Sequence, residues 1–301
     1  MKIKKILTLI IVFFIIGSSQ CSYAQWNGPD TTQINKKRLI PTLAVVGGSY
    51  AVAMVGLNFL WYANSPRSSF HFFDDNSEWQ QVDKCGHFMT AFHESRLGVD
   101  LMKWSGLPRK KAIIYGSLAG FIFQTPIEVF DGFSSEYGAS LGDESANILG
   151  SAGVLTQYLL WNEIRIQPKI SFHHTGFAAQ RPNELGSTLL EQGLKDYNGQ
   201  TYWLSGNIYS FLPKESKFPK WLNIAVGYGA ENMIYAQKQD NINAGYDTYR
   251  QWYLSLDIDM TKIKTNNSFL KKLFYTINMV KIPAPALELN KYGLKFHAIY
   301  F

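Results

Sequence analysis

Leu222-Asn223-Ile224-Ala225-Val226-Gly227-Tyr228 alternates apolar with small or polar residues, and Leu254-Ser255-Leu256-Asp257-Ile258-Asp259-Met260 repeats the pattern. Period-2 alternation puts one set of side chains on each face of an extended chain, so both stretches read as antiparallel strands with one buried and one wet face. Segments 201–211 and 293–301 are further candidate strands. Between them, Ser268 to Val280 places Phe269, Leu270, Leu273, Phe274 and Ile277 on one stripe beside Lys271 and Lys272. Such a basic amphipathic helix is expected to pack on the neighbouring sheet, with a membrane surface as the alternative. The strand-like character begins after Pro168, and everything before it reads as helix. The expected fold is therefore α+β, a membrane-associated helical bundle over 25–170 followed by a β-rich antiparallel domain over 171–301.

Upstream, Leu39 to Ala63 is uncharged and, at 1.5 Å per residue, long enough to cross a bilayer core of roughly 30 Å. Gly47, Gly48, Ser49 and Tyr50 at its centre suit close helix packing equally well. Asn64-Ser65-Pro66 ends it, and the connector 64–82 carries Phe70, Phe72, Phe73 and Trp79, a composition found at membrane–water boundaries. A second helix is expected from Asp83 to about Trp104, stopped by Gly106 and Pro108. Arg109-Lys110-Lys111 opens a third, apolar from Ala112 to Ile127, with Glu128 and Asp131 at its end. Ser140 followed by Asp143 resembles a capping box and starts a fourth, running to about Trp161. The later apolar runs are short for full spans, which favours a compact or partly embedded bundle.

Lys2, Lys4 and Lys5, the apolar run Ile6 to Ile16 and the exit Ser22-Tyr23-Ala24 make a three-part secretion signal over 1–24, cleaved before Gln25. A lipoprotein would instead use Cys21, but Gln20 is bulky for the position preceding a lipidated cysteine. After cleavage Cys85 is the only cysteine, so the fold cannot rely on an internal disulfide, and Cys85 reads as a small buried hydrophobe. The address is thus export to the periplasm, associated with the inner or the outer membrane. The net charge of +6 and the pI near 9.1 suit anionic lipid or envelope polymers as partners. Basic residues are scattered without a reader motif, so nucleic acid is not an expected partner.

Three polar clusters interrupt the helices. They are Asp83, Lys84 and His87; Glu128 and Asp131; and Asp143 and Asn147 with Gly150. Spacings of three and four point the members of each cluster one way. If the second, third and fourth helices are antiparallel neighbours, the clusters converge at one end of the bundle. Such a site could bind a divalent metal through His87, Glu128, Asp131 and Asp143, since zinc accepts imidazole with carboxylate. It could equally run acid–base chemistry around His87. The plainer reading is a structural network, with Asp83 and Asp143 as helix-start partners of the dipole and Lys84 neutralising Glu128 or Asp131. Glu128 at a helix C-terminus opposes the dipole and so needs a partner. His93 and Glu94 read as an exposed helix face, outside the cluster.

Asp83-Lys84-x-x-His87-Phe88, Glu128-x-x-Asp131, the linker with Ser134-Ser135, and Asp143-x-x-x-Asn147-x-x-Gly150 together resemble the YfiM-like family of periplasmic lipoproteins, a domain of unknown function. They are more distantly similar to VanZ-like membrane proteins. The resemblance covers 80–162 and implies an envelope location and a small helical bundle, with no assigned activity. The helix at 39–63 and the β-rich extension depart from it. The expected role is structural or interaction-based, with a membrane lipid or another envelope protein as partner. The alternative is a metal-dependent or acid–base hydrolase or transferase acting on a lipid-linked or cell-wall substrate. A third view makes the C-terminal strands part of an outer-membrane sheet, since the chain ends in the aromatic Phe301.

Overall fold

The computed structural model describes residues 34–61 and 66–301. The secretion signal and Cys21 lie outside the described residues. The described chain divides into two compact units. One gathers residues up to Asp74, Thr90–Ile164 and Thr265–Thr276; the other gathers Asp75–Met89, Arg165–Lys264 and Ile277–Phe301. Fold class is α+β, helices leading and a six-stranded sheet following.

In the helical unit, α1 (Lys36–Trp61) is followed by most of α2 (Val82–Trp104), α3 (Arg109–Ser117), α4 (Ala119–Gly132) and α5 (Leu141–Trp161). The expected third helix is therefore two segments, broken at Leu118. α2 runs antiparallel to α3 and α4 and touches both backbone to backbone: a Cβ on Gly120 of α4 would lie 2.0 Å from the Ala91 carbonyl oxygen, and one on Gly116 of α3 2.3 Å from the Val99 nitrogen. Only glycine permits that approach. Phe92, Val99, Ile113, Val154 and Tyr158 form the apolar core. Beside it runs a hydroxyl ladder. The break at Leu118 frees the first amides of α4, and Ser95 Oγ accepts from Gly120 N–H at 3.0 Å while Ser151 Oγ accepts from Phe121 N–H at 2.8 Å. The amphipathic helix is α6 (Ser268–Ile277). Contrary to expectation its Tyr275 packs on Leu97 and Leu101 of α2 and donates to Asp100 at 2.8 Å, so it serves the helical unit.

The second unit is built on an antiparallel meander, β1 (Ile166–Phe172), β2 (Gln200–Asn207), β3 (Leu222–Glu231), β4 (Tyr249–Ile258), β5 (Ala284–Asn290) and β6 (Gly293–Tyr300), each strand pairing with the next. Its burial reverses the ordinary amphipathic strand. Ile224, Val226, Leu254 and Leu256 are about half exposed, whereas Asn223, Ala225, Ser255 and Asp257 are buried. The interior face centres on Trp203, Tyr253 and Tyr300. It also holds a fully buried ion pair, Lys169 Nζ to Asp257 at 2.7 Å, with Ser205 Oγ donating to the same carboxylate at 2.6 Å. Lys169 donates further to the Ile258 carbonyl at 2.8 Å, so the charge is solvated by protein.

Candidate functional site

In the helical unit the antiparallel α4 and α5 bring two of the expected clusters together. Glu128 sits one turn before the end of α4, where the dipole disfavours its charge, and it is buried. Its Oε2 accepts from the Ser140 N–H at 3.0 Å. Ser140 in turn is the N-cap of α5: its Oγ accepts from the Asp143 N–H at 3.0 Å. Asp143 is buried in the first turn of α5, where helix dipole and carboxylate attract. One turn on, Asn147 Nδ2 donates to Glu144 Oε2 at 3.3 Å, and Thr125 of α4 donates to Glu144 Oε1 at 2.7 Å. Asp131 is half-buried, and its backbone carbonyl accepts from Ser134 N–H at 2.9 Å. The α4–α5 junction is thus stitched by carboxylates whose partners are amides and hydroxyls.

Two neighbours that read as exposed face from sequence are not exposed. His93 is buried, with its ring against Phe92. Glu94 accepts from Gln124 Nε2 of α4 at 2.9 Å. Burial pushes the Glu94 carboxyl up to about 8, partly offset by that hydrogen bond, so it is a proton-holding group near neutral pH. The signal that could have found it is Gln124, a lone amide within the apolar run that opens the helix.

In the other unit the first turns of α2 carry the remaining cluster. Lys84 bonds Asp75 at 2.6 Å and Asp83 at 2.9 Å. Burial raises the Asp83 carboxyl above its ordinary value, and Lys84 pulls it back. His87, one turn further, is half-buried. Burial pushes the Cys85 thiol up to about 11, which removes it as a nucleophile. Immediately before, Trp79, Gln80 and Gln81 take three successive left-handed conformations, φ 44, 52 and 64. Such a run costs on the order of 1–2 kcal/mol per residue and has to be held from outside. Tyr228 donates to the Gln80 carbonyl, Gln80 Nε2 donates to Thr248 Oγ1 at 2.9 Å, and the Trp79 N–H donates to the Ala236 carbonyl at 2.9 Å. Sequence gave no sign of this strained entry to α2.

These features define an α+β fold with buried polar ties and apolar outer faces. Residues 71–160 match the family of predicted periplasmic lipoproteins (DUF2279). No curated protein and no solved structure matches the chain. That family description is consistent with an exported, periplasmic, membrane-associated protein.

Proposed function

We propose that this protein has a structural or interaction role at the periplasmic side of a membrane, with the outer surface of its helical unit against lipid. The exposure of α1 supports this reading. Lys36–Gly56 is long and apolar enough to cross a membrane, and only 11% of that window is buried. Ile40, Leu43, Val45, Val52 and Val55 all face outward. Arg109–Gly132 passes the same test of length and composition, and Ile122, Leu149, Leu159 and Leu160 extend the apolar exterior. Apolar surface of this extent is uncommon on soluble monomers. Fractionation of the native protein tests it: retention in membranes after alkaline carbonate washing is expected, and release as a soluble monomer overturns it. The finer kinship to YfiM-like and VanZ-like proteins rests on the spacing of Asp83-Lys84-x-x-His87 and Asp143-x-x-x-Asn147.

A second reading, the metal-dependent or acid–base hydrolase or transferase, is favoured by the burial of Glu128 and Asp143 around one cap, Ser140. That reading takes His87, Glu128, Asp131 and Asp143 as the ligands, an imidazole with carboxylates being a donor set that zinc accepts. Elemental analysis of the purified full chain separates the readings. Bound metal that is lost in both His87→Ala and Asp143→Ala favours a metal centre; a metal-free parent with unchanged folding in both variants removes it.

A further inference from the structure

The strand registers carry the membrane reading into the second unit. Pro168, Leu204, Val226, Leu254, Leu287 and Phe296 stand in one continuous row across all six strands. From Leu204 to Phe296 its members are 40–65% exposed. The next row on the same face is Ile170, Tyr202, Tyr228, Trp252, Leu289 and Leu294; Tyr202 and Tyr228 pack against Val82, and the outward part runs from Trp252 through Leu289 to Leu294, each more than half exposed. Neither row contains a carboxylate, an ammonium or a guanidinium. The row between them, on the opposite face, holds Lys169 and Glu288, both at most 2% exposed. Charge has been withdrawn from the outward face and placed inside, where ion pairs and amides satisfy it.

That inversion is costly in water, because each outward Leu, Val or Phe forgoes roughly 1.5–3 kcal/mol of burial. It is the ordinary arrangement of a sheet whose outside is hydrocarbon, apolar out and polar in. The ends of the band agree. At the Leu222 end Trp221 is exposed and Lys220 Nζ lies 4.7 Å over the Tyr209 ring. At the other, Lys291 Nζ lies 5.3 Å over Tyr249 and 5.0 Å over Tyr292. Aromatic rings with basic tips are what a membrane–water interface selects. Between these rims, Leu222 to Tyr228 covers six steps of about 3.3 Å, so the band is about 20 Å along the strand. A protein partner would be met by hydrogen-bonding side chains, and the row from Leu204 to Phe296 offers none.

We infer that the Leu204–Val226–Leu254–Leu287–Phe296 face of the sheet is seated in bilayer hydrocarbon. Six strands fall short of the eight that close a barrel, so one face is embedded and no pore is formed. The inference rests on the membrane reading for its location, but its evidence lies wholly in the other unit. The test uses the full chain with Cys21→Ser and Cys85→Ser, single cysteines at Val226, Leu254 or Glu215, and a bimane label, reconstituted in phosphatidylcholine vesicles. Doxyl-labelled phosphatidylcholine is expected to quench positions 226 and 254 at least threefold more than 215, and aqueous iodide to do the reverse. Leu254→Asp, checked by circular dichroism, is expected to abolish lipid quenching at 226 with strand content unchanged. Iodide quenching at 226 and 254 equal to that at 215, in protein that still resists carbonate, overturns this inference and leaves the helical reading standing. Protection from both quenchers together with a dimeric mass in detergent assigns the face to a second copy and overturns it as well.

Discussion

The two units solve one problem by opposite means. Helices satisfy their own backbone, so the helical unit can put apolar side chains outside and still keep an apolar core of Phe92, Val99, Ile113, Val154 and Tyr158. It buries charge as well, at Asp100, Lys103, Glu128 and Asp143, and its ties are specific: the Ser95–Ser151 ladder repairs the break at Leu118, and Glu128 with Ser140 closes the α4–α5 turn. A sheet has only two faces, so once the outer one is apolar the inner one must take every charge, and Lys169, Asp257 and Glu288 end up buried. Polar burial mends helix breaks and ends in the first unit and occupies a whole sheet face in the second.

The comparison is broken most forcefully at the buried ion pair. Lys169→Met strands Asp257 without its countercharge and is expected to cost about 3–5 kcal/mol in chemical denaturation, whereas Lys169→Met with Asp257→Leu recovers most of the loss. A double variant as unstable as the single one would show that the interior needs charge for its own sake. In the helical unit the matching stress is steric. Gly120→Val drives a side chain into the Ala91 carbonyl and is expected to cost about 1–3 kcal/mol or more, with loss of helical melting cooperativity.

Glu94 sharpens the contrast through pH. Its carboxyl is held up to about 8 in the fold against an ordinary value of 4.5. The native state therefore binds the extra proton, and stability is full below about pH 4.5 and declines as pH climbs through 8. Glu94→Gln is expected to remove that decline, a gain on the order of 2 kcal/mol at pH 9 after discounting for screening, and little change at pH 4.5. A variant whose melting follows the parent at every pH would deny the burial of this group. The smallest effect is the cap: Ser140→Ala is expected to cost about 1 kcal/mol, read by thermal melting.

Much of this was legible. The alternation at 222–228 and 254–260 marks β3 and β4, Asp83 and Trp104 bracket α2, and Ser140-x-x-Asp143 is the observed start of α5. β1 and β5 escaped because Pro168 and Pro285 interrupt their patterns; both prolines sit where the ladder tolerates a missing N–H. The polarity of the alternation was not legible, because period 2 gives two faces and does not say which one water meets. The residues across the ladder hold the answer: Asn223 and Asp257 have partners, Ser205 and Lys169, that only the register reveals. The α4–α5 half of the candidate site followed from antiparallel helices, while Glu94 was misjudged because a carboxylate on a helix face is ordinarily solvated.

Outward apolar faces on both units are the core of the account, and photolabelling with a diazirine-bearing phospholipid reads both at once. Peptide mapping of the full chain in vesicles should place label on α1 and α5 and on the β3–β4 hairpin around Val226 and Leu254, and spare the polar segment 213–220. Label confined to residues 36–61, or spread evenly into 213–220, would contradict it.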